Sequence, residues 1–263
     1  MLSANIQSVG VLGPGLADWP AASAVLRGEV AYVCTRTVLP VPAMLPAAER
    51  RRASRTVRLA LAVAAEAVTG AGANPRELPT IFSSSGGDGD NCHEICRALA
   101  SSDRQLSPTR FHNSVHNAAC GYWSIAYGCA EASIALCAHD ASFGAGLLEA
   151  LSQLRRGAGA VLLVSYDADY PPPMRDVRPI PDIFGVALLL TCDEARPALA
   201  RLRVSLSDAT TAAGLAIAQL EALRRSIPAA RSLTLLERLA QRRSGALVLD
   251  YMDTARLAVE VEA

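Results

Sequence analysis

The amino-acid sequence predicts a layered α/β fold, in which helices cover both faces of a mixed sheet. The chain has 263 residues, of which 51% are hydrophobic and 19% charged, so it can bury a large core. Strand and helix patterns alternate at 132–138, 141–156 and 159–166. The near-continuous apolar run DIFGVALLLTC, residues 182–192, is typical of a strand that is buried on both faces.

The N-terminal third predicts a strand, an extended arm and several helices. Residues 6–12 form a strand that ends in a Gly-Pro-Gly turn, and the helix after it is closed by Gly28. The prolines of VLPVPAMLP keep the next segment extended. The elements that follow are a helix over 47–69, a short strand in LPTIFSSSGGDG, a helix over 90–101 and a helix through SPTRFHNSVHNAACGYWSIAYG.

The C-terminal part predicts further strands and two amphipathic helices. The proline-rich segment 170–181 is the one long excursion from regular structure. The elements after it are a strand over 199–206, helices over 212–226 and 232–242, and two short strands on either side of Met252 and Asp253.

Charge and composition exclude several classes of function. The formal net charge is zero and the pI is about 6.9, so no overall field attracts nucleic acid or an anionic membrane. All 25 basic residues are arginine, which excludes a lysine Schiff base and a phosphate-loop lysine. No uninterrupted apolar run approaches the roughly 18 residues of a membrane span.

The seven cysteines predict a reducing compartment. Their number is odd, they lie in apolar stretches and no secretory signal precedes them, so we expect reduced, mostly buried thiols in a cytoplasmic protein. Cys92 and Cys96 lie four residues apart on a predicted helix, but no second ligand pair follows. We therefore expect neither a metal site nor a cofactor.

A tight corner between a strand and a helix lies within SIALCAHDASFGAGLLEALSQLRRG, residues 133–157. Many α/β enzymes place a nucleophile at such a corner, because the N-terminus of the helix stabilises negative charge. Here the corner holds His139, Asp140, Ala141 and Ser142. We expect Asp140 to cap the helix by accepting a hydrogen bond from its first turn.

Three stretches resemble β-ketoacyl synthases. VGVLGPGLADWPAASAVLRGE resembles their first strand, glycine turn and helix, and SPTRFHNSVHNAACGYWSIAYG their interface helix. ASIALCAHDASFGAGLLEALSQLRRGAGAVLLVSYD is similar to the nucleophile strand, the helix after it and the next strand. The phrases FHNSVHNAA, GYWSI and DASFGAGLLEAL resemble most the short chain-length factors of aryl polyene clusters. The likeness extends over residues 6–195.

The resemblance implies a thiolase-like half that is truncated relative to a full ketosynthase. It implies a synthase N-terminal-like domain over 1–195, and we expect 196–263 to be a short α/β extension packed on the same domain. A complete synthase has two similar halves. The cysteine of the first half takes the acyl chain from an acyl carrier protein, and two histidines, or a histidine and an asparagine, of the second half assist decarboxylation.

The sequence departs from this pattern at two independent points. Asp140 occupies the position of the nucleophilic cysteine, and a carboxylate is a poor acyl acceptor. All four histidines lie at or before residue 139, so the C-terminal part lacks an imidazole for decarboxylation. We expect no catalytic residue and no condensing activity from the chain by itself.

The resemblance then implies a non-catalytic chain-length factor. Such a subunit forms a heterodimer with a full-length ketosynthase, shapes the acyl tunnel during aryl polyene elongation and meets an acyl carrier protein transiently. The strand 132–138 would pair with its counterpart in the partner, and the helix before it would lie against the tunnel. The tunnel and interface candidates are Phe111, His112, Val115, His116, Ala119, Cys120, Trp123, Ser133, Ala135 and Cys137.

Other interpretations of the same residues remain open. Apolar and aromatic residues at helical spacing are also typical of a core, and the two histidines of the helix can simply bind backbone groups. Cys137 or Cys120 with His139 or His116 would suit a small acyltransferase or thioesterase. A purely structural scaffold of the synthase complex is a third hypothesis. The basic run of arginines 50, 51, 52, 55 and 58 is either solvated or docks an acidic carrier protein.

Overall fold

Eight strands form one mixed sheet in the computed structural model, which describes residues 1–209 and 211–263. Their order across the sheet is β3-β2-β4-β5-β1-β6-β8-β7. The strands are β1 (Leu2–Leu12), β2 (Thr80–Ser83), β3 (Ser133–Leu136), β4 (Ala160–Asp167), β5 (Phe184–Thr191), β6 (Ala200–Ser207), β7 (Gly245–Met252) and β8 (Ala255–Glu262). The layered α/β class that the sequence predicts is confirmed.

The helices lie between these strands in the chain. They are α1 (Trp19–Leu26), α2 (Ala47–Arg52), α3 (Arg55–Gly70), α4 (Gly89–Ala100), α5 (Pro108–Asn113), α6 (Ala118–Tyr127), α7 (Ser142–Arg155), α8 (Met174–Val177), α9 (Ala218–Ser226) and α10 (Leu233–Ala240). No helix in the described ranges has both the length and the apolar character needed to cross a membrane.

The strand directions make the sheet mixed. β2 runs parallel to β3 on one side and to β4 on the other, with Phe82 opposite Ala135 and Val164. The pairs β4–β5, β5–β1, β1–β6, β6–β8 and β8–β7 are antiparallel. β3 and β7 therefore form the two edges, and β6 joins the C-terminal strands to the same sheet as the N-terminal ones.

Two hydrophobic clusters cover the two faces of the sheet. On one face, α3 and α6 pack on the central strands, and Trp123 and Phe82 lie in this cluster. α7, α1, α9 and α10 cover the other face, around residues such as Leu147 and Leu188. α3 lies so close to β1 that a Cβ at Gly10 would overlap the carbonyl oxygen of Val63. All eight residues of β5 are buried, as its apolar run predicts.

Three predicted helices differ from the observed ones. The predicted helix over 47–69 is two helices, because Ser54 starts α3 as its N-cap and accepts a hydrogen bond from Val57 N at 3.4 Å. The predicted helix over 107–128 ends at Asn113 and restarts at Ala118. The intervening Ser-Val-His-Asn consists of weak helix formers. The predicted helix over 212–226 begins only at Ala218.

Candidate functional site

The corner between β3 and α7 contains a strained turn. β3 ends at Leu136, a 3-10 helix follows at His139–Ala141, and α7 begins directly after it. His139 has a φ of 49°, in the left-handed region that is unfavourable for residues other than glycine. The Ser142 hydroxyl accepts from Ala138 N at 3.1 Å and donates to the His139 carbonyl at 2.7 Å. These two bonds fix the turn.

Asp140 is held at this corner by two arginines. Arg178 Nη2 donates to its Oδ1 at 2.5 Å, and Arg231 Nη2 donates to its Oδ2 at 3.1 Å. Arg231 Nη1 also donates to the Asp140 carbonyl at 2.9 Å. Burial alone would raise the pKa of the carboxyl, but the hydrogen bond and charge of Arg178, with the charge of Arg231, hold it below its ordinary value.

The expected N-cap role of Asp140 is therefore wrong. α7 has Ala141 at its N-cap, without a capping hydrogen bond from that side chain. Asp140 lies one residue earlier, inside the 3-10 turn, and its carboxylate turns to the arginines. Two positively charged guanidinium groups stabilise the carboxylate more than one uncharged backbone N–H would. The side chain of Asp140 therefore points to the arginines and does not cap α7.

The same arginines join distant segments to the corner. We call residues 170–181 the strap, the proline-rich excursion that contains α8. Arg178 of the strap also donates from Nη1 to His139 Nε2 at 2.7 Å. Arg231 belongs to the 3-10 helix Pro228–Ser232 before α10. One carboxylate thus connects three segments that are far apart in sequence.

Asp167 makes a second connection behind the corner. It ends β4 and is buried, with Oδ1 accepting from Ser85 N at 2.8 Å and Ser85 Oγ at 2.6 Å. Its Oδ2 accepts from Ala229 N at 2.8 Å. Burial raises the pKa of Asp167 to about 6, although these hydrogen bonds and Arg178 act in the opposite direction. Asp167 therefore ties the glycine-rich turn after β2 to the C-terminal part.

The tunnel and interface candidates divide into two groups. Ala119, Cys120 and Trp123 are buried in this chain's own core. The exposed candidates are Phe111, His112, Val115, Ser133 and Cys137, and the half-buried ones are His116 and Ala135. Phe111 is 62% exposed, an unusual position for a large aromatic side chain.

The two histidines of this region have different neighbours. The His112 ring lies edge-on to Tyr122, with 5.9 Å between the ring centroids. His116 Nε2 lies 3.3 Å from the Ser84 carbonyl. The break between α5 and α6 removes the common helix face on which the spacing placed them.

A family model decides the relationship of this chain. The model described as the N-terminal domain of β-ketoacyl synthase matches residues 26–247. The chain belongs to the β-ketoacyl synthase family. No curated protein has a significantly similar sequence.

Solved structures show that this family member has the thiolase-like ketosynthase fold. A chain of the ketosynthase (ApeO) in complex with its chain length factor (ApeC) from Xenorhabdus doucetiae has a TM-score of 0.71 at 23% identity, over 99% of this chain and 100% of that one. A second similar structure is AntDE:AntF, a type II polyketide synthase acyl-carrier protein in complex with its ketosynthase bound to the hexaketide. One of its chains has a TM-score of 0.77 at 10% identity, over 100% of this chain and 99% of that one. A chain of the ishigamide ketosynthase/chain length factor has a TM-score of 0.74 at 14% identity, over 99% of both chains.

The cysteines of this family member differ from the expectation. Only Cys120 and Cys129 are buried, so the prediction of mostly buried thiols is wrong. The others lie outside the core, in the arm, on α4, and after β3 and β5, where their apolar sequence neighbours do not determine burial. The exposed cysteines are Cys34, Cys92, Cys96, Cys137 and Cys192.

The geometry does not assemble a cysteine–histidine pair. Burial raises the pKa of Cys120, and Cys137 Sγ donates to the Ser85 carbonyl at 3.3 Å. Among the described residues, neither thiol has a hydrogen bond to a histidine. A thiol without a hydrogen bond to a base lacks one route to the activation that acyl transfer needs. This arrangement gives no support to the acyltransferase or thioesterase hypothesis.

Most of the basic run has partners within the chain. Arg50 donates to the Leu45 carbonyl and Arg58 to the carbonyls of Leu39 and Pro40, so both hold the extended arm. Arg55 pairs with Asp169 at 2.8 Å, and Arg52 with Glu49 at 3.1 Å. These contacts give the run a role in local structure, while Arg50, Arg51 and Arg52 remain exposed.

Sequence reasoning missed two residues beside the candidate interface. Gly121 and Ile125 lie four apart on the exposed side of α6, and Ile125 is exposed. Nothing lies within 4 Å of a Cβ built on Gly121. Asn117, Gly121 and Ile125 are spaced four residues apart, and this spacing places them on one face of a helix. That spacing is the feature of the sequence from which Gly121 and Ile125 could have been predicted.

Proposed function

We propose that the protein is a chain-length factor, a cytoplasmic subunit without condensing activity that pairs with a full-length ketosynthase. In the complex it forms one wall of the acyl tunnel during aryl polyene elongation, and an acyl carrier protein delivers the chain transiently. The family membership supports this proposal, as do the fold similarities to ketosynthase and chain length factor complexes.

The ion-paired state of Asp140 is the observation that carries the proposal. Both carboxylate oxygens already accept hydrogen bonds from arginines, so they are unavailable to attack a thioester. A carboxylate whose pKa is held low is also a weak nucleophile. The sequence after His139 contains no imidazole that could assist decarboxylation. The corner therefore suits a structural role better than an acyl-transfer role.

The edge strand β3 supports pairing with another subunit. Thr80 N and Ser84 N of the β2 side bond to the carbonyls of Ala132 and Leu136. Because backbone groups alternate along a strand, those of Ser133 and Ala135 point away from β2, to the edge of the sheet. Exposed strand edges are templates for pairing with another chain. A partner strand would bond to these two residues.

Proline at position 135 tests this arrangement directly. Ala135→Pro removes the outward N–H but leaves the bonds between β3 and β2 in place, since proline is tolerated at a strand edge whose N–H faces away from the sheet. Ala135→Ser keeps the N–H and serves as the matched control. We expect the wild type and Ala135→Ser to co-purify with the co-expressed ketosynthase as a 1:1 complex, and Ala135→Pro to be recovered alone and folded.

Two results would count against the proposal. One is recovery of the wild-type chain only as a monomer or homodimer in the presence of the ketosynthase. The other is carbon–carbon bond formation from malonyl thioesters by the purified chain alone, detected by mass spectrometry. If Ala135→Pro forms the complex as well as Ala135→Ser does, the subunits meet through another surface.

A further inference from the structure

Two cysteines of α4 form a pair of neighbouring thiols. Cys92 and Cys96 are four residues apart, about one turn of the helix, and both are exposed. They line the same cavity, which has a volume of about 720 Å³ and lies between α4, the glycine-rich turn and the strap. Burial raises the pKa of the Cys92 thiol, and the Cys96 thiol raises it further through its charge and a hydrogen bond. The two sulfur atoms are therefore in direct contact.

The spacing of this pair does not suit a disulfide. A disulfide brings the two Cβ atoms to about 3.5–4.5 Å, whereas Cβ atoms four residues apart on a helix are about 5–6 Å apart. An ion bound in line between the sulfurs removes this mismatch, since two metal–thiolate bonds of about 2.3 Å separate the sulfurs by about 4.6 Å. α4 can therefore direct both sulfur atoms to one ion without a change of its backbone.

The surroundings of the pair restrict the kind of ion. Among residues 1–209 and 211–263, no group of three or more histidine, cysteine, aspartate or glutamate side chains could hold a metal ion. Structural zinc takes four such ligands, so the pair does not suit zinc. Monovalent copper is a soft ion that thiolate and thioether ligands select, and two thiolates are enough to bind it. The strap adds a thioether to the same cavity, since Met174 lines it and is 50% exposed.

We infer that Cys92 and Cys96 together bind one monovalent copper ion. Each thiol releases its proton to the solvent when the ion binds, and no electron is transferred. No metal site was expected from the sequence because a second ligand pair is missing, but an ion held by two thiolates needs none. The site lies on α4 and not on β3, so it goes beyond the proposed function and does not depend on it.

Anaerobic titration of the full chain with monovalent copper tests the inference. A chromophoric chelator that competes for the ion gives the affinity, and X-ray absorption identifies the atoms bound to copper. We expect one copper ion per chain to be retained against the chelator, with sulfur neighbours only. Loss of a ligand costs more than an outer-shell change, which typically costs about 10- to 100-fold in affinity. Cys92→Ser and Cys96→Ser should therefore each weaken binding by at least about 100-fold.

A matched variant keeps the number of cysteines and moves one of them. Cys96→Ser combined with Arg97→Cys places the second thiol five residues after Cys92, where the helix rotates it by about 140°. Arg97 is exposed, and its pair with Glu94 lies at the surface, so its loss should not disturb the fold. We expect this double variant to bind copper as weakly as Cys96→Ser. Cys192→Ser removes an exposed cysteine after β5 and should bind like the wild type.

Four results would overturn the inference. They are loss of all copper from the wild type to the chelator, retention of copper by both single serine variants, wild-type affinity in the double variant, and nitrogen or oxygen atoms next to the bound copper. Because none of these substitutions lies on β3, the same variants can be tested for co-purification with the ketosynthase. Failure of the complex therefore stays distinguishable from failure of the copper site.

Discussion

At the scale of single residues, two aspartates show how burial and partners determine ionisation. Asp140 has a lowered pKa because two arginines favour its charged form. Asp167 has a raised pKa because its burial outweighs three hydrogen bonds that favour the charge. Asp140, after β3, and Asp167, at the end of β4, both bond to the segment Pro228–Ser232. The corner is thus stabilised by groups that respond to pH in opposite directions.

Asp167 predicts a loss of stability as pH rises. Its folded pKa of about 6 lies above the ordinary 3.8, so the folded state holds the proton more tightly than the unfolded state does. The contribution to the free energy of unfolding is largest below pH 3.8 and declines until about pH 6, by about 3 kcal/mol. Urea unfolding at several pH values measures this decline.

Asp167→Asn is the control variant, and the quantity to compare is how its free energy of unfolding changes with pH. Asp167→Asn cannot titrate, and its amide still offers an oxygen to Ser85. The variant is expected to lose the decline between pH 4 and 6, whatever its absolute stability. If the two pH profiles run parallel over this range, another group causes the decline.

Local sequence could not have shown what Asp140 does. Aspartate at a strand-to-helix corner is typical of an N-cap, and that preference is a property of neighbouring residues. Its actual partners are 38 and 91 residues away, on the strap and before α10. Only the tertiary fold brings Arg178 and Arg231 to the corner. The aspartate at the nucleophile position, in contrast, is a prediction that the motif itself makes.

At the scale of elements, the sequence was most informative about the central strands. The apolar runs of β4 and β5 have few alternatives to a fully covered sheet, and both strands are buried. Helix ends depended on weaker signals. Ser54 is a recognisable N-cap, but the apolar spacing continues across it, so one helix was expected where two exist. The pairing of β6 with β1 is a long-range contact that no local pattern specifies.

A buried ion pair joins α9 to β7 and predicts a large effect on stability. Arg224 is buried, donates to Glu221 at 2.7 Å and also pairs with Asp250. Arg224→Met leaves both carboxylates without this partner, and loss of one side of a buried pair costs about 3–5 kcal/mol. Chemical denaturation gives the value.

Arg225 provides the matched control on the same helix. It binds the same Glu221, but its side chain is mostly exposed. Arg225→Met is therefore expected to change the free energy of unfolding by less than about 1 kcal/mol. Similar losses from the two variants would show that the connection between α9 and β7 does not depend on burial of the pair.

At the scale of the whole molecule, the edge of the sheet and the core place different limits on substitutions. β3 forms one edge of the sheet, and α6 packs beside it. Ala119 and Cys120 point into the core, so bulk added there would disturb folding before it reached a tunnel. Gly121, one residue further on, is exposed and can carry a larger side chain.

Gly121 therefore offers the sharpest test of whether this subunit limits chain length. In the free chain, Gly121→Leu meets no atom within 4 Å of its Cβ, and replacing a helical glycine by leucine favours the helix by up to about 1 kcal/mol. The melting temperature should not fall.

In the complex with the ketosynthase, added volume at the tunnel wall should shorten the main product, and Gly121→Ala should have a smaller effect. Mass spectrometry of the extracted polyenes measures the length. If an intact complex makes products of unchanged length with both variants, the protein serves as a scaffold and the tunnel wall lies elsewhere.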